Sequence, residues 1–183
     1  GGAAINVFAR QHGAALKIVD AGVKVSLPGD DRLINRKIAA GTENFMRRPA
    51  MNVAQCNMAL EKSAELVSEW HATGSNIIGF GDMGIGNTSS AAMLIALFAD
   101  VSLADAVGPG AGLSQEGVDH KLTVLRKAQQ RTGMTPRAAG ESPLSALAEY
   151  GGYEIAMICG AMLRAAELGM VVLVDGFIAT SAF

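Results

Sequence analysis

The residues best suited to binding chemistry lie in one glycine-rich segment, 79–90 (GFGDMGIGNTSS), which places four glycines within eight residues. Glycine lets the backbone turn sharply and approach a ligand closely. The free N–H groups at a helix start, together with the side chains of Asn87, Thr88 and Ser89, are suited to holding a phosphate. A tight strand-to-helix turn capped by Asn87 is the alternative, but it requires fewer glycines. The segment therefore predicts a phosphate site.

The same glycines also match the dinucleotide-binding fingerprint, as Gly79-x-Gly81-x-x-Gly84. That motif requires a helix that starts inside the glycines and an acidic residue ending a second strand about 20 residues later. Asp105 has roughly this spacing, but it lies in a loop rich in Gly and Ala. A NAD-dependent oxidoreductase is therefore the weaker hypothesis. No Gly-Lys-Ser/Thr is present, which excludes a P-loop.

Three further side chains are candidates for binding roles. A second glycine loop, 108–112, precedes a helix that carries Lys121, and a lysine beside such a loop can complete an anion site. Asp175 ends an apolar strand, where its carboxylate is suited to holding ribose hydroxyls. A solvated surface lysine and a loop-capping aspartate remain the alternatives. A buried Glu154 would need a partner, as a structural anchor or as part of the pocket.

Helices that alternate with apolar strands must position these residues. The pattern predicts helices at 3–12 (stopped by Gly13), from Asn52 with Gln55 to about Trp70, at 87–99 and from Ser114 onward. It also predicts a long helical stretch over 143–167 that is loosened by Gly151-Gly152 and Gly160. It predicts strands at 16–23, 76–80 and 170–174, and loops at 28–31 and 101–113. We expect a single α/β domain over 1–183, a three-layer, mainly parallel Rossmann-like sheet with helices on both faces. Ligands in such folds bind beyond the carboxyl ends of the strands, here at 81–88 and 175–180.

Composition excludes several classes of function. Half of the 183 residues are apolar, and the formal net charge is −2, so nucleic acid is an unexpected partner. Cys56 and Cys159 lack the spacing of a metal or redox pair, and the three histidines show no metal spacing. No uninterrupted apolar run is long enough to cross a membrane. We therefore expect no metal and no membrane association, and the cysteine usage fits a cytoplasmic location.

Four motifs, in order, resemble those of the nicotinate-nucleotide–dimethylbenzimidazole phosphoribosyltransferase family. Segment 81–88 is similar to the family's Gly-Glu-Met-Gly-Ile-Gly-Asn-Thr loop, and 108–121 resembles its second glycine loop with the lysine that follows. Segment 147–156 resembles its Leu-Ala-x-x-Gly-Gly-Phe-Glu-Ile-Ala helix, and 173–178 its Leu-Asp-Gly-Phe-Ile strand end. The match covers nearly the whole chain.

The resemblance implies transfer of the phosphoribosyl group of nicotinate mononucleotide to 5,6-dimethylbenzimidazole. Nicotinate leaves, and the product is α-ribazole 5′-phosphate for the lower ligand of cobalamin. A carboxylate takes the imidazole proton as the ring nitrogen attacks, and neither a metal nor an organic cofactor is required. The resemblance also implies a homodimer. For that interface we consider Met157, Ile158, Met162 and Leu163, which serve equally well as core residues.

Carried over residue by residue, the resemblance implies nine substrate-binding residues. Asp82 takes the place of the family's ribose-side glutamate, Met83 touches the aromatic base, and those around the ribose phosphate are Gly84, Gly86, Asn87, Thr88, Gly110, Ala111 and Lys121. Asp175, at the carboxyl end of the predicted strand 170–174, is the tenth candidate substrate-binding residue. Asp82 is one methylene shorter than the family's residue.

The family's catalytic glutamate corresponds to a segment beyond Phe183, so no catalytic residue is assigned in this chain. We expect the chain to be the large-domain core of a longer enzyme, truncated at both ends. A fragment that only binds a nucleotide or dimerises, without turnover, is the alternative function.

Overall fold

The computed structural model describes residues 3–27 and 32–183 and has an α/β fold, as expected. The predicted loop at 28–31 lies outside the described residues. In chain order the elements are α1 (Ala4–His12), β1 (Ile18–Asp20), β2 (Leu33–Asn35), α2 (Val53–Ala72), β3 (Ile77–Phe80), α3 (Thr88–Phe98), α4 (Leu103–Ala106), α5 (Gln115–Thr132), α6 (Pro136–Glu141), α7 (Pro143–Tyr150), α8 (Tyr153–Glu167), β4 (Val171–Val174) and α9 (Phe177–Ala182).

Local capping chemistry explains where the well-predicted helices begin and end. Asn52 and Gln55 form a reciprocal capping box at the start of α2, in which the Asn52 side chain accepts from the Gln55 N–H at 2.8 Å and the Gln55 side chain accepts from the Asn52 N–H at 3.0 Å. Ser114 caps α5. Gly13 ends α1 with φ +65°, a conformation that favours glycine. The predicted boundaries of these helices are confirmed to within about two residues.

The long helical stretch predicted over 143–167, loosened by Gly151-Gly152 and Gly160, is two separate helices that are divided at the first of these positions only. The chain leaves helical geometry at Gly151, whose backbone is extended, and starts again as α8 after Gly152. A Cβ at Gly151 would lie 2.4 Å from the Leu147 carbonyl oxygen, so the break requires glycine there. The predicted loop at 101–113 also contains α4, because Ser102 caps a short turn by accepting from the Asp105 N–H. The predicted strand at 16–23 shortens to the three residues of β1.

Within the described residues, the strands form two separate two-stranded parallel sheets, β1–β2 and β3–β4. In the second sheet Ile77 pairs with Val171 and Phe80 pairs with Val174. Because the carboxyl ends of β3 and β4 are in register, the segments that follow them start side by side. The two predicted site segments therefore lie at one edge of this sheet.

The core is built around the contact between α2 and α8. Gly160 lets the helices approach closely, because a Cβ there would lie 2.4 Å from the Leu60 carbonyl oxygen. Met157, Ile158 and Met162 are buried in the core, so they do not form an exposed interface. Of the four side chains considered for a dimer contact, Leu163 is 60% exposed.

In residues 3–27 and 32–183 no helix combines the length and the apolar character needed to cross a membrane.

Candidate functional site

The first glycine loop leads from β3 into α3 and presents unpaired backbone donors. Gly84 and Gly86 have φ of +75° and +85°, so the loop turns through backbone conformations that other residues rarely adopt. The side chain of Asn87, the N-cap residue, makes no capping hydrogen bond. In the described part of the chain, the N–H groups of Thr88 and Ser89 have no acceptor. The start of α3 is therefore equipped to bind an anion.

The second glycine loop and α5 bring a lysine to the same place. Lys121 Nζ donates to Thr88 Oγ1 at 2.8 Å and to the Gly108 carbonyl oxygen at 3.3 Å. Gly110 has φ +54°, and a Cβ on it would lie 3.0 Å from Thr88 Oγ1. The close approach of this loop to α3 therefore depends on glycine at that position.

The charge of Lys121 has no counter-charge in the described part of the protein, where no carboxylate lies within ion-pair distance of its Nζ. Partial burial lowers the pKa of Lys121 below its ordinary value, because burial disfavours the ammonium form. A partly desolvated cation whose hydrogen bonds go to neutral oxygens is stabilised by an incoming anion. The lysine is therefore available to a phosphate.

These groups surround one cavity of about 310 Å³. Its lining contains six of the ten predicted substrate-binding residues and the predicted phosphate ligand Ser89, and the structure adds Pro109 and Leu113. The full lining is Gly84, Gly86, Thr88, Ser89, Pro109, Gly110, Ala111, Leu113 and Lys121. Pro109 lies within the second glycine loop and Leu113 directly follows it, so their position in or next to that motif is the signal available in the sequence.

Asn87 and Asp82 lie beside the cavity, in a polar cluster with Glu154. Asn87 Nδ2 donates to Asp82 Oδ1 at 2.9 Å and to Glu154 Oε1 at 3.1 Å. Asp82 Oδ1 also accepts from the Gly84 N–H at 2.7 Å. Asn87 is not among the residues that line the cavity; its side chain bridges the two carboxylates instead.

Burial raises the pKa of the Glu154 carboxyl above its ordinary value, and the nearby charge of Asp82 raises it further. Hydrogen bonds from its own backbone N–H and from Asn87 oppose this rise. The sequence predicts that a buried Glu154 needs a partner, as a structural anchor or as part of the pocket; in the structure Glu154 is half-buried and its partner is Asn87. Nothing in the sequence marked this pair, because the two residues are far apart along the chain.

The other two predicted residues lie outside the cavity lining. Met83 is 79% exposed on the first glycine loop, next to Ile85, which is 71% exposed. Asp175 is exposed and directly follows β4. These two side chains are therefore accessible at the edge of the site, and no phosphate contact is assigned to them.

A larger cavity of about 680 Å³ lies near the starts of α2 and α8. Its charged side chains are already paired, Arg48 with Glu43 and Glu149 with Arg131, and Asn52 is paired with Gln55. It lacks the uncompensated charge that marks the smaller cavity. We therefore place the functional site at the smaller one.

The described residues contain no group of three or more His, Cys, Asp or Glu side chains that could hold a metal ion. The donors around the small cavity are backbone N–H groups, hydroxyls and one ammonium, which suit an anion and not a cation.

Comparisons with known proteins identify one family along the whole chain. A phosphoribosyltransferase family model matches residues 1–183. The chain is 50% identical over 182 residues to the nicotinate-nucleotide–dimethylbenzimidazole phosphoribosyltransferase of Cupriavidus taiwanensis, covering all of this chain and 51% of that protein. It is 42% identical to the enzyme of the same name from Phocaeicola vulgatus, covering 99% of this chain and 51% of that protein.

The fold is shared with a solved relative as well. The crystal structure of CobT from Thermus thermophilus superimposes with a TM-score of 0.90 at 37% identity, covering all of this chain and 53% of that one. The chain thus spans about half the length of the relatives it matches. From the family model, the relatives and the four ordered motifs, we conclude that the chain belongs to the nicotinate-nucleotide–dimethylbenzimidazole phosphoribosyltransferase family.

Proposed function

We propose that the protein transfers the phosphoribosyl group of nicotinate mononucleotide to 5,6-dimethylbenzimidazole, releasing nicotinate and forming α-ribazole 5′-phosphate for the lower ligand of cobalamin. The described residues supply the phosphoribose part of that site. Relatives named for this reaction support the proposal.

The observation that carries the proposal is the uncompensated Lys121 ammonium facing the free N–H groups of α3 across one small cavity. In this arrangement Thr88 connects the two loops, since its hydroxyl accepts from Lys121 while its backbone N–H remains free. A ribose 5-phosphate group would receive hydrogen bonds from both sides. Such charge-assisted bonds each contribute about 1.5–3 kcal/mol.

In this proposal the chain's residues bind and orient the substrate. Lys121 and the N–H groups of Thr88 and Ser89 hold the phosphate, Asp82 faces the ribose, and Met83 packs against the aromatic base. Asp175 lies near the ribose at the end of β4. Fixed placement is the main contribution that such a site makes to transfer, because the pyridinium of the nucleotide is already a good leaving group. None of these carboxylates is given the role of general base.

Calorimetric titration with nicotinate mononucleotide tests the proposal. Lys121→Ala should weaken binding about 10- to 100-fold, because it removes one charge-assisted contact. Lys127→Ala is the matched control, since Lys127 is exposed on the same helix and outside the cavity. Equal affinities for wild type and Lys121→Ala would contradict the phosphate assignment.

The same titration separates the two alternative functions. A protein that binds nicotinate mononucleotide but forms no α-ribazole 5′-phosphate from added dimethylbenzimidazole would be a binding module. Preferential binding of NAD would favour an oxidoreductase, which depends on the glycine fingerprint alone.

We also propose that the protein forms a homodimer. Support comes from the apolar side chains of Ile5, Val7 and Phe8 on α1, which are 53%, 44% and 56% exposed, since contiguous exposed apolar surface marks interaction sites. Sedimentation of wild type and Phe8→Glu tests this: a dimer should dissociate in the variant, whereas a monomeric wild type would contradict the proposal.

The three-layer, mainly parallel sheet is likewise proposed. Ile77, Val171 and Leu173 on β3 and β4 are more than half exposed, although strands of such sheets are normally covered on both faces. Backbone hydrogen exchange in the protein should show these strands as protected as α8. Rapid exchange there would contradict a covered sheet.

A further inference from the structure

The position of the Glu154 carboxylate depends on the break before α8 and on the glycine at position 152. It lies in the first turn of α8, immediately after the break at Gly151 and Gly152. Its carboxylate folds back over Gly152, where a Cβ would lie 2.2 Å from Glu154 Oε1 and 2.7 Å from Oε2. A glycine at 152 is therefore needed for the carboxylate to sit there.

The carboxylate contacts the substrate-binding loop through one amide. Asn87 Nδ2 donates to Glu154 Oε1 at 3.1 Å and to Asp82 Oδ1 at 2.9 Å. The other end of the amide, Asn87 Oδ1, is buried and has no hydrogen-bond donor in the described part of the protein. A buried acceptor without a donor costs about 1–3 kcal/mol, so the two carboxylates must hold the amide in this orientation.

The consequence falls on Asp82. Its Oδ1 already accepts from the Gly84 N–H and from Asn87. Its Oδ2 has no partner among the described residues. The carboxylate is therefore fixed at one oxygen while the other remains for a ligand, next to Gly84 in the cavity lining.

We propose that Glu154 is a positioning residue for the phosphoribose site: it holds the Asn87 amide, which fixes the Asp82 carboxylate with Oδ2 left for a ribose hydroxyl. The inference rests on the proposed function, because it takes the ligand of the adjacent cavity to be a ribose phosphate. The raised pKa of the half-buried Glu154 carboxyl is compatible with this contact, since a neutral acid still accepts from Asn87 through its carbonyl oxygen.

Titration with two ligands separates positioning of the ribose from support of the loop. D-ribose 5-phosphate engages both parts of the site, whereas inorganic phosphate engages only the cavity around Lys121. Glu154→Ala should weaken ribose 5-phosphate about tenfold, the equivalent of one lost hydrogen bond, and change phosphate affinity by less than about twofold. Glu154→Gln should stay within about threefold of wild type for both ligands, because its side-chain oxygen accepts from the same N–H. The control is Glu65→Ala, at an exposed position of α2.

Two results of this titration would overturn the inference. One is unchanged ribose 5-phosphate binding in Glu154→Ala. The other is an equal loss for both ligands, which would assign Glu154 to support of the loop as a whole. If Glu154→Ala does not fold, Asn87→Ala removes the same contact from its other end. It is judged by the same comparison, between the loss of affinity for ribose 5-phosphate and the loss of affinity for inorganic phosphate.

A measurement without ligand keeps this test distinct from that of the proposed function. The side-chain NH₂ protons of Asn87 should exchange slowly with solvent in wild type and in Glu154→Gln, and rapidly in Glu154→Ala. A wild type that binds neither ligand would contradict the proposed function, whereas Asn87 exchange that is equal in all three proteins would overturn the positioning role.

Discussion

The α2–α8 contact and the first glycine loop use glycine for opposite purposes. At Gly160 a side chain is excluded because the backbone of α2 at Leu60 already fills the space. At Gly86 a Cβ would meet nothing within 4 Å, and the residue is needed for its φ of +85°. The first glycine closes a contact between helices, while the second leaves backbone N–H groups facing a cavity. A glycine therefore marks either dense packing or an open binding surface, and its neighbours in space decide which.

The densely packed α2–α8 contact is tested most sharply by Cys56, which is fully buried on α2. Burial, and secondarily the neighbouring Cys159, raises the pKa of Cys56 from 9.0 to about 11. Near pH 8 this makes the reactive thiolate about a hundredfold scarcer. In a Cys159→Ser background we expect iodoacetamide to label Cys56 at least about a hundredfold more slowly in the folded protein than in urea. Similar rates in both states would show that this side of α2 is open.

Gly160→Ala should produce the next largest effect. The added Cβ would strike the α2 backbone, and overpacking of this kind costs about 1–3 kcal/mol of the free energy of unfolding, which urea denaturation measures. Gly140→Ala is the matched control, because it lies in α6 with nothing within 4 Å of the added Cβ; it should be neutral or stabilising by up to about 1 kcal/mol. Equal free energies of unfolding for the two variants would show that Gly160 is not required for the close contact with α2.

Gly110→Ala tests the open cavity between the two glycine loops. Its Cβ would lie 3.0 Å from Thr88 Oγ1, the atom that accepts from Lys121. We expect phosphate affinity, measured by calorimetry, to fall about tenfold as this contact is displaced. Gly112→Ala also introduces backbone strain, at φ +117°, but its Cβ meets nothing within 4 Å. It should lose about 1–2 kcal/mol of stability and keep its affinity for phosphate, whereas an equal loss of affinity would assign the effect to strain alone.

The smallest expected effect is the pH dependence of stability that comes from Glu154. Its pKa in the folded protein is raised above the ordinary 4.5, so the folded state holds the proton more tightly than the unfolded state. This contribution is present below pH 4.5 and is lost as the pH rises through the raised pKa. Glu154→Gln does not titrate, so the stability of wild type relative to the variant should fall as the pH rises. Parallel curves from urea denaturation would contradict a pKa of Glu154 that burial raises in the folded protein.

The sequence predicted the features that depend on neighbouring residues. The capping box of Asn52 and Gln55 and the cap at Ser114 located helix starts, because these bonds join residues three positions apart. The glycine motifs located both loops, and six of the ten predicted site residues line the cavity.

Contacts between distant segments could not be predicted in the same way. Nothing near Asn87 indicates that its amide bridges two carboxylates instead of capping α3, because Glu154 arrives from another helix. The break at Gly151 likewise depends on the Leu147 carbonyl oxygen, while Gly160, in the same predicted stretch, continues the helix. A glycine in a helical pattern does not by itself distinguish these outcomes.

The register of β3 with β4 also has a consequence for how the protein folds. Ile77 pairs with Val171, and all of α3 through α8 lies between them in the chain. Closing so long a loop costs entropy that only the packing of those helices can offset, and sheets made of such distant segments form slowly. The edge that bears Asp82 and Asp175 should therefore be completed late in folding. Acquisition of ligand binding would then report the end of folding, and not its start.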